Sequence, residues 1–238
     1  MERISLLLVL LYTGLCSSNY MSEHRTLIQY LTKLKEGDYD VNARPVRNES
    51  TPLKLKIDLT LTAIQDVDEA SAVMTSSGWI SMTWVDEYIS WDPRDFMGLE
   101  EIRVPTDMFW IPDIYLFNDA EGDFNKRLLE NKQKLYIDYN GTVHWAPVFK
   151  FRSLCDIPKL NNSMVSCPLT LGSWTYPEYV FDLQTEQVSA SLTLFHGNPM
   201  WELVEAKTSR HSTLYDCCPE PFVDLKYDVK LTKRQTQN

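Results

Sequence analysis

Pro52-Leu53-Lys54-Leu55-Lys56-Ile57-Asp58-Leu59-Thr60-Leu61 reads with a period of two. Leu53, Leu55, Ile57, Leu59 and Leu61 fall on one side of an extended chain, and Lys54, Lys56, Asp58 and Thr60 on the other. Successive side chains of a strand point to opposite faces, so this stretch predicts a strand with one buried face. The same period returns downstream. Ile80, Met82 and Trp84 alternate with Ser81 and Thr83. Val188, Ala190, Leu192 and Leu194 alternate with polar residues, and Trp201 to Ala206 is a further strand candidate. Val223, Leu225, Tyr227, Val229 and Leu231 form a last strand with Asp224, Lys226, Asp228 and Lys230 outward. Leu135 to Tyr139 and Thr142 to Phe149 flank Asn140-Gly141, which predicts a hairpin with a type I′ turn.

One helix precedes the strands. Over Ser22 to Glu36, Ser22 can cap, Glu23 suits the first turn, and Leu27, Ile28, Leu31 and Leu34 share a face; Gly37 ends it. A polar linker carrying Asn48 follows. The expected fold is mainly β: an immunoglobulin-like β-sandwich with an N-terminal α-helix, as one domain over 19–238 without internal repeats.

Met1 to about Ser18 reads as a signal peptide. Arg3 gives the basic n-region, Leu6 to Leu11 the apolar core, and Gly14, Cys16, Ser17 and Ser18 the small residues near cleavage. No later stretch reaches the roughly 18–20 apolar residues of a membrane-spanning helix, and Lys233 to Asn238 is polar. A secreted, extracellular product is expected. Three Asn-x-Ser/Thr sequons, at Asn48, Asn140 and Asn161, agree with that route and are expected glycosylation sites.

Removing the leader removes Cys16 and leaves Cys155, Cys167, Cys217 and Cys218, which allow three pairings. An oxidising compartment makes disulfides the default. Eleven residues lie between Cys155 and Cys167, which favours that pairing and leaves Cys217 and Cys218 to each other. Adjacent Cα atoms sit about 3.8 Å apart, less than a relaxed disulfide takes, so a vicinal bridge distorts its own peptide. Such strain concentrates at ligand clamps and functional loops.

A net charge of −10 disfavours nucleic acid as a partner and is compatible with a cationic ligand. There is no phosphate loop, no Gly-x-Ser-x-Gly elbow and no two-His zinc helix. His24, His144, His196 and His211 are scattered without ligand spacing, so no metal and no cofactor is expected. A secreted hydrolase on the same scaffold would need a nucleophile motif, and none is recognisable. Aromatic residues are abundant instead, with seven Trp and twelve Tyr. Trp84, Trp91, Trp110, Trp145 and Trp201 are expected in the core. Phe117, Trp174, Tyr215 and Phe222 sit in turn-like contexts and are candidates for an aromatic cage that binds an amine through cation–π attraction.

Four motifs in order carry a resemblance: Trp110-Ile111-Pro112-Asp113, the Cys155…Cys167 pair, Gly172-Ser173-Trp174, and Tyr215-Asp216-Cys217-Cys218. Together they resemble the extracellular ligand-binding domain of nicotinic-type Cys-loop receptors, and within that superfamily the soluble acetylcholine-binding proteins. The resemblance covers essentially the whole mature chain. It implies a homopentamer without catalytic activity that binds acetylcholine and nicotine-like amines between subunits. The principal face would comprise Phe117, Trp174, Tyr215, Cys217, Cys218 and Phe222. The complementary face would comprise Trp79, Tyr136, His144 and Ala146. The family usually carries Tyr where this chain has Phe117 and Phe222, so two rings remain and two hydroxyls are lost. The receptors close a longer Cys155–Cys167-type loop with an apolar tip that meets the membrane domain; Asp156 to Ser163 is shorter and hydrophilic. The resemblance therefore implies a free-standing binding protein, with an ectodomain of a channel subunit as the alternative.

Overall fold

The computed structural model describes residues 23–37, 39–158 and 164–234. The expected signal peptide, the Ser22 cap and the Asn161 sequon lie outside the described residues.

A helix, α1, spans 23–36. Leu27 and Leu31, one turn apart, are fully buried, and Ile28 and Leu34 pack against the same core. Lys35 Nζ donates to the Asp107 carbonyl and the Tyr30 hydroxyl to that of Ser90, fixing the exposed flank of the helix to the body.

Among the described residues eleven strands follow: β1 (Leu53–Asp68), β2 (Val73–Val85), β3 (Glu101–Val104), β4 (Ile114–Leu116), β5 (Leu135–Asp138), β6 (Thr142–Trp145), β7 (Val148–Leu154), β8 (Val165–Ser173), β9 (Phe181–Gln184), β10 (Trp201–Leu214) and β11 (Pro221–Lys233). A short helix, α2 (Phe124–Leu129), lies between β4 and β5. One sheet has seven strands in the order β3-β5-β6-β2-β1-β9, with β7 also paired to β2. The other has four, β10-β11-β8-β4. This is the expected sandwich.

The inward residues of the two sheets form one apolar core, because a half-polar strand is stable only when its apolar face is covered. Leu53, Leu55, Ile57, Leu59 and Leu61 are all buried, as their alternation requires. Trp84, Trp91, Trp110, Trp145 and Trp201 are buried as expected. Trp110 is packed edge-on between Trp84 and Phe181, at 5.9 and 6.1 Å between ring centroids. Tyr227 of β11 reaches across the sandwich, its hydroxyl donating to the Ile57 carbonyl at 3.0 Å.

The structure corrects three expectations. First, the hairpin turn is not type I′. The Gly141 amide donates to the Asp138 carbonyl, Gly141 has φ +88°, and Asn140 keeps a negative φ. This is a three-residue loop with a bulge at glycine, where one left-handed residue suffices. Second, Thr142 to Phe149 is two strands, since Ala146-Pro147 interrupts the ladder and proline lacks the amide to continue it. Third, Val188 to Leu194 is not a strand. Its chain makes isolated bridges at Ser189 and Ser191, and Val188, Leu192 and Leu194 are exposed while Ala190 is buried. Alternation alone cannot hold a strand that lacks a continuous partner ladder.

Candidate functional site

The principal-face candidates gather on the four-stranded sheet. In β4 the buried Ile114 and Leu116 alternate with the outward Tyr115, and Phe117 follows on that outer face. Neighbouring β8 pairs Tyr115 with Gly172 and ends at Ser173, placing Trp174 at the strand mouth. Phe117 meets Trp174 edge-on at 6.3 Å, and Tyr115 meets it at 5.8 Å. Trp174 is 69% exposed, unlike the five core tryptophans.

Asp113 fixes this loop. Its carboxylate accepts from the Ser173 hydroxyl at 2.8 Å and from the hydroxyl and amide of Thr175. The residues on both sides of Trp174 are thus tied to one carboxylate, and the indole between them is held outward.

β10 and β11 form a long arm whose tip, Tyr215 to Glu220, carries the double cysteine. Cys217 and Cys218 are bonded to each other with Cα atoms 3.8 Å apart, and the Cys218 amide donates to the Tyr215 carbonyl. Cys155 and Cys167 form the second disulfide. Tyr215 and Phe222 face each other across the arm at 6.2 Å. Its root is fastened by polar contacts: Arg210 reaches Glu178 and Asp182, the Ser212 hydroxyl donates to Glu178, and His211 pairs with Asp224 at 2.9 Å.

The complementary-face candidates lie on the seven-stranded sheet. Register sets Thr83, His144, Tyr136 and Arg103 in a row across β2, β6, β5 and β3. Tyr136 and His144 lie 5.2 Å apart with their rings tilted by 54° and, with Ala146, line a groove of about 420 Å³. Trp79 is on the same face of β2, four residues before Thr83, roughly 13 Å along at 3.3 Å per residue. It does not line that groove.

Polar contacts already commit part of this wall. The Tyr136 hydroxyl donates to Glu101 at 2.6 Å, which pushes its pKa up to about 12, and the Arg103 guanidinium lies over its ring at 5.0 Å. The same hydrogen bond, with Arg103, holds the Glu101 carboxylate below its usual range. His144 spans Asp138 and Thr83. Tyr136 is therefore a poor cation–π partner for a ligand, since Arg103 occupies one of its faces. Sequence reasoning named neither Arg103 nor Tyr115. For Tyr115 the signal was present: it stands two residues from Phe117 in an extended segment.

Among the described residues no hydrogen bond, ion pair or ring contact joins the two groups of candidates. Among the described residues no cluster of His, Cys, Asp or Glu could hold a metal ion.

Residues 26–236 match the family model described as the neurotransmitter-gated ion-channel ligand binding domain. The chain belongs to this family. The rat neuronal acetylcholine receptor subunit alpha-6 is 36% identical over 197 residues, covering 82% of this chain and 39% of the subunit. The mouse subunit alpha-2 is 34% identical over 193 residues, covering 80% and 37%. The human subunit alpha-5 is 32% identical, covering 94% and 50%. The chain thus spans half or less of the length of these relatives. It is an extracellular-type ligand-binding domain, and the family is one of binding domains rather than enzymes. No helix among the described residues is long and apolar enough to cross a membrane.

Proposed function

We propose that this chain is a secreted, homopentameric binding protein for acetylcholine and related cationic nicotinic amines, which are bound in an aromatic cage between neighbouring copies. Phe117, Trp174, Tyr215 and Phe222 offer π faces to the cation, and the Cys217–Cys218 tip closes over it. Trp79 of the next copy supplies the opposite wall, with Tyr136, His144 and Ala146 shaping the space for the rest of the ligand. Trp174 dominates, since indole is the best cation–π partner, contributing up to about 2 kcal/mol when desolvated.

The observation that supports this reading is that the two groups of candidates lie on different sheets of one domain, with Trp174 open to water in a single copy. Head-to-tail contacts between identical chains bring unlike faces together and close into rings. Val188, Leu194 and Met200 are exposed large apolar residues available to such a contact. The exposed Asn48 and Asn140 suit glycosylation. Trp174→Ala tests the reading: nicotinic ligand binding is lost while the oligomer persists, and unchanged affinity sinks the assignment.

A second reading has one specific support. The relatives continue well beyond the matched region, so the chain fits equally the extracellular part of a channel subunit. The hydrophilic sequence Asp156 to Ser163 favours the free-standing form, because an apolar tip suits contact with a membrane domain. The transcript downstream of Asn238 separates the two: a stop codon supports the first, apolar segments of membrane-spanning length the second.

A further inference from the structure

Tyr115 sits where two surfaces meet. On one side its ring lies 5.8 Å from Trp174, tilted by 42°. On the other it lines a groove of about 400 Å³ over α2, together with Asp123, Asn125, Lys126, Leu129 and Glu130. Phe117, Trp174 and Tyr115 therefore form a continuous aromatic track from the strand mouth to this groove. Gly172 makes the track possible: it is the β8 partner of Tyr115, and having no side chain it leaves the outer face there to the rings. The Tyr115 hydroxyl makes no hydrogen bond among the described residues, and the ring is half-buried. Two rings of the proposed cage, Phe117 and Phe222, carry no polar atom. A phenol beside Trp174 with a free hydroxyl is thus a distinct recognition element. The groove beyond it sets the amide, ammonium and carboxylate of Asn125, Lys126 and Glu130 beside the exposed Leu129, which suits an arm carrying both polar and apolar atoms.

We propose that Tyr115 is a specificity-determining residue of the aromatic site, carrying the polar arm of an elongated cationic amine from Trp174 into the groove over α2. The ammonium sits on the indole, and the arm crosses the Tyr115 ring and accepts a hydrogen bond from its hydroxyl. A small ammonium without an arm ends at Trp174 and does not use Tyr115. This inference rests on the site reading above, and the two fail differently.

The experiment measures equilibrium affinities of the assembled protein for two probes, tetramethylammonium and the bis-choline ester of suberic acid. Trp174→Ala, Tyr115→Phe and Tyr115→Ala are compared with the unaltered chain. Trp174→Ala loses both probes. Tyr115→Ala weakens the bis-choline ester about tenfold and tetramethylammonium less than about twofold, as expected for a ring contact plus one hydrogen bond. Tyr115→Phe gives an intermediate loss for the ester alone. Equal weakening of both probes by Tyr115→Ala overturns the proposal, since Tyr115 would then only brace Trp174. Unchanged affinity for both in the Tyr115 variants overturns it as well, while Trp174→Ala still tests the site. Binding that survives Trp174→Ala removes the site reading and this inference together.

Discussion

Gly172 and Phe117 occupy one space: a Cβ placed on Gly172 would lie 2.5 Å from Phe117 Cζ and 2.7 Å from Cε2. The carbonyl of Val223 stands at 3.1 Å on the same side, so the ring must yield. Gly172→Ala therefore displaces Phe117 from Trp174. The expected cost is about 1–3 kcal/mol of stability, as for other overpacked sites, with weaker amine binding. Thermal unfolding and titration calorimetry read both. Phe117→Ala in the same chain relieves the clash, so the double variant is more stable than the sum of the single effects implies.

Asp113 acts on Trp174 without touching it. Removing its carboxylate leaves the Ser173 and Thr175 hydroxyls and the Thr175 amide without their acceptor. Asp113→Ala is expected to cost about 1–3 kcal/mol of stability. Indole fluorescence and ligand affinity change with it, because the loop no longer presents the ring. Asp113→Asn keeps one acceptor oxygen and retains part of both. Native affinity in Asp113→Ala shows that the loop holds Trp174 by other means.

The two disulfides separate stability from binding. Cys155–Cys167 closes a loop with a sequence separation of 12, and its loss is expected to cost about 3 kcal/mol through the freed unfolded chain. Cys217–Cys218 closes no loop of any length, so replacing both with serine barely constrains or frees the unfolded state. That variant is expected to keep its melting temperature within a few degrees and to lose affinity as the capping tip loosens. A large fall in melting temperature contradicts this division.

Asp86 gives a pH signature of the fold. It is 1% exposed, accepts the Tyr39 hydroxyl at 2.5 Å, and burial raises its pKa to about 6 from an ordinary 3.8. Burial and the neighbouring carboxylate raise the Tyr39 phenol too, so the tyrosine remains a donor throughout. The folded protein binds the Asp86 proton more tightly than the unfolded chain. Its contribution to stability therefore falls as pH rises between roughly 4 and 6, and the charged form is a standing cost above that. Asp86→Asn is always neutral. Its stability relative to the unaltered chain is highest near neutral pH and declines as the pH is lowered toward 4. A pH-independent difference contradicts the assignment.

The elements that sequence alone made legible are those with one clean period. β1, the latter half of β2, β11 and α1 each present an uninterrupted apolar face, and each formed. The segment 188–194 has the same period and failed, because period records which side chains are apolar and not whether a partner strand is available. Short strands such as β3, β4 and β9 escaped notice, since three or four residues carry too little pattern. Motif order singled out Trp174, Phe117 and the double cysteine as candidates, and the structure brings the rings of Phe117 and Trp174 together. The default assignment of lone aromatics to the core was right for five tryptophans. Tyr115 was not singled out, because its contact with Trp174 depends on a neighbour in another strand. Arg103 over Tyr136 was equally invisible, since it follows from the β3–β5 register.

A site completed by two copies can be rebuilt by co-assembly of two defective chains. A Trp174→Ala chain keeps an intact Trp79 face, and a Trp79→Ala chain keeps an intact Trp174 face. Neither binds a nicotinic amine well as a homomer. When the two are co-expressed, every interface that joins the Trp174 face of one to the Trp79 face of the other is whole. Mixed oligomers are expected to regain binding at native affinity with reduced stoichiometry. Mixed oligomers that form and do not bind, or a Trp79→Ala homomer that binds normally, would contradict it.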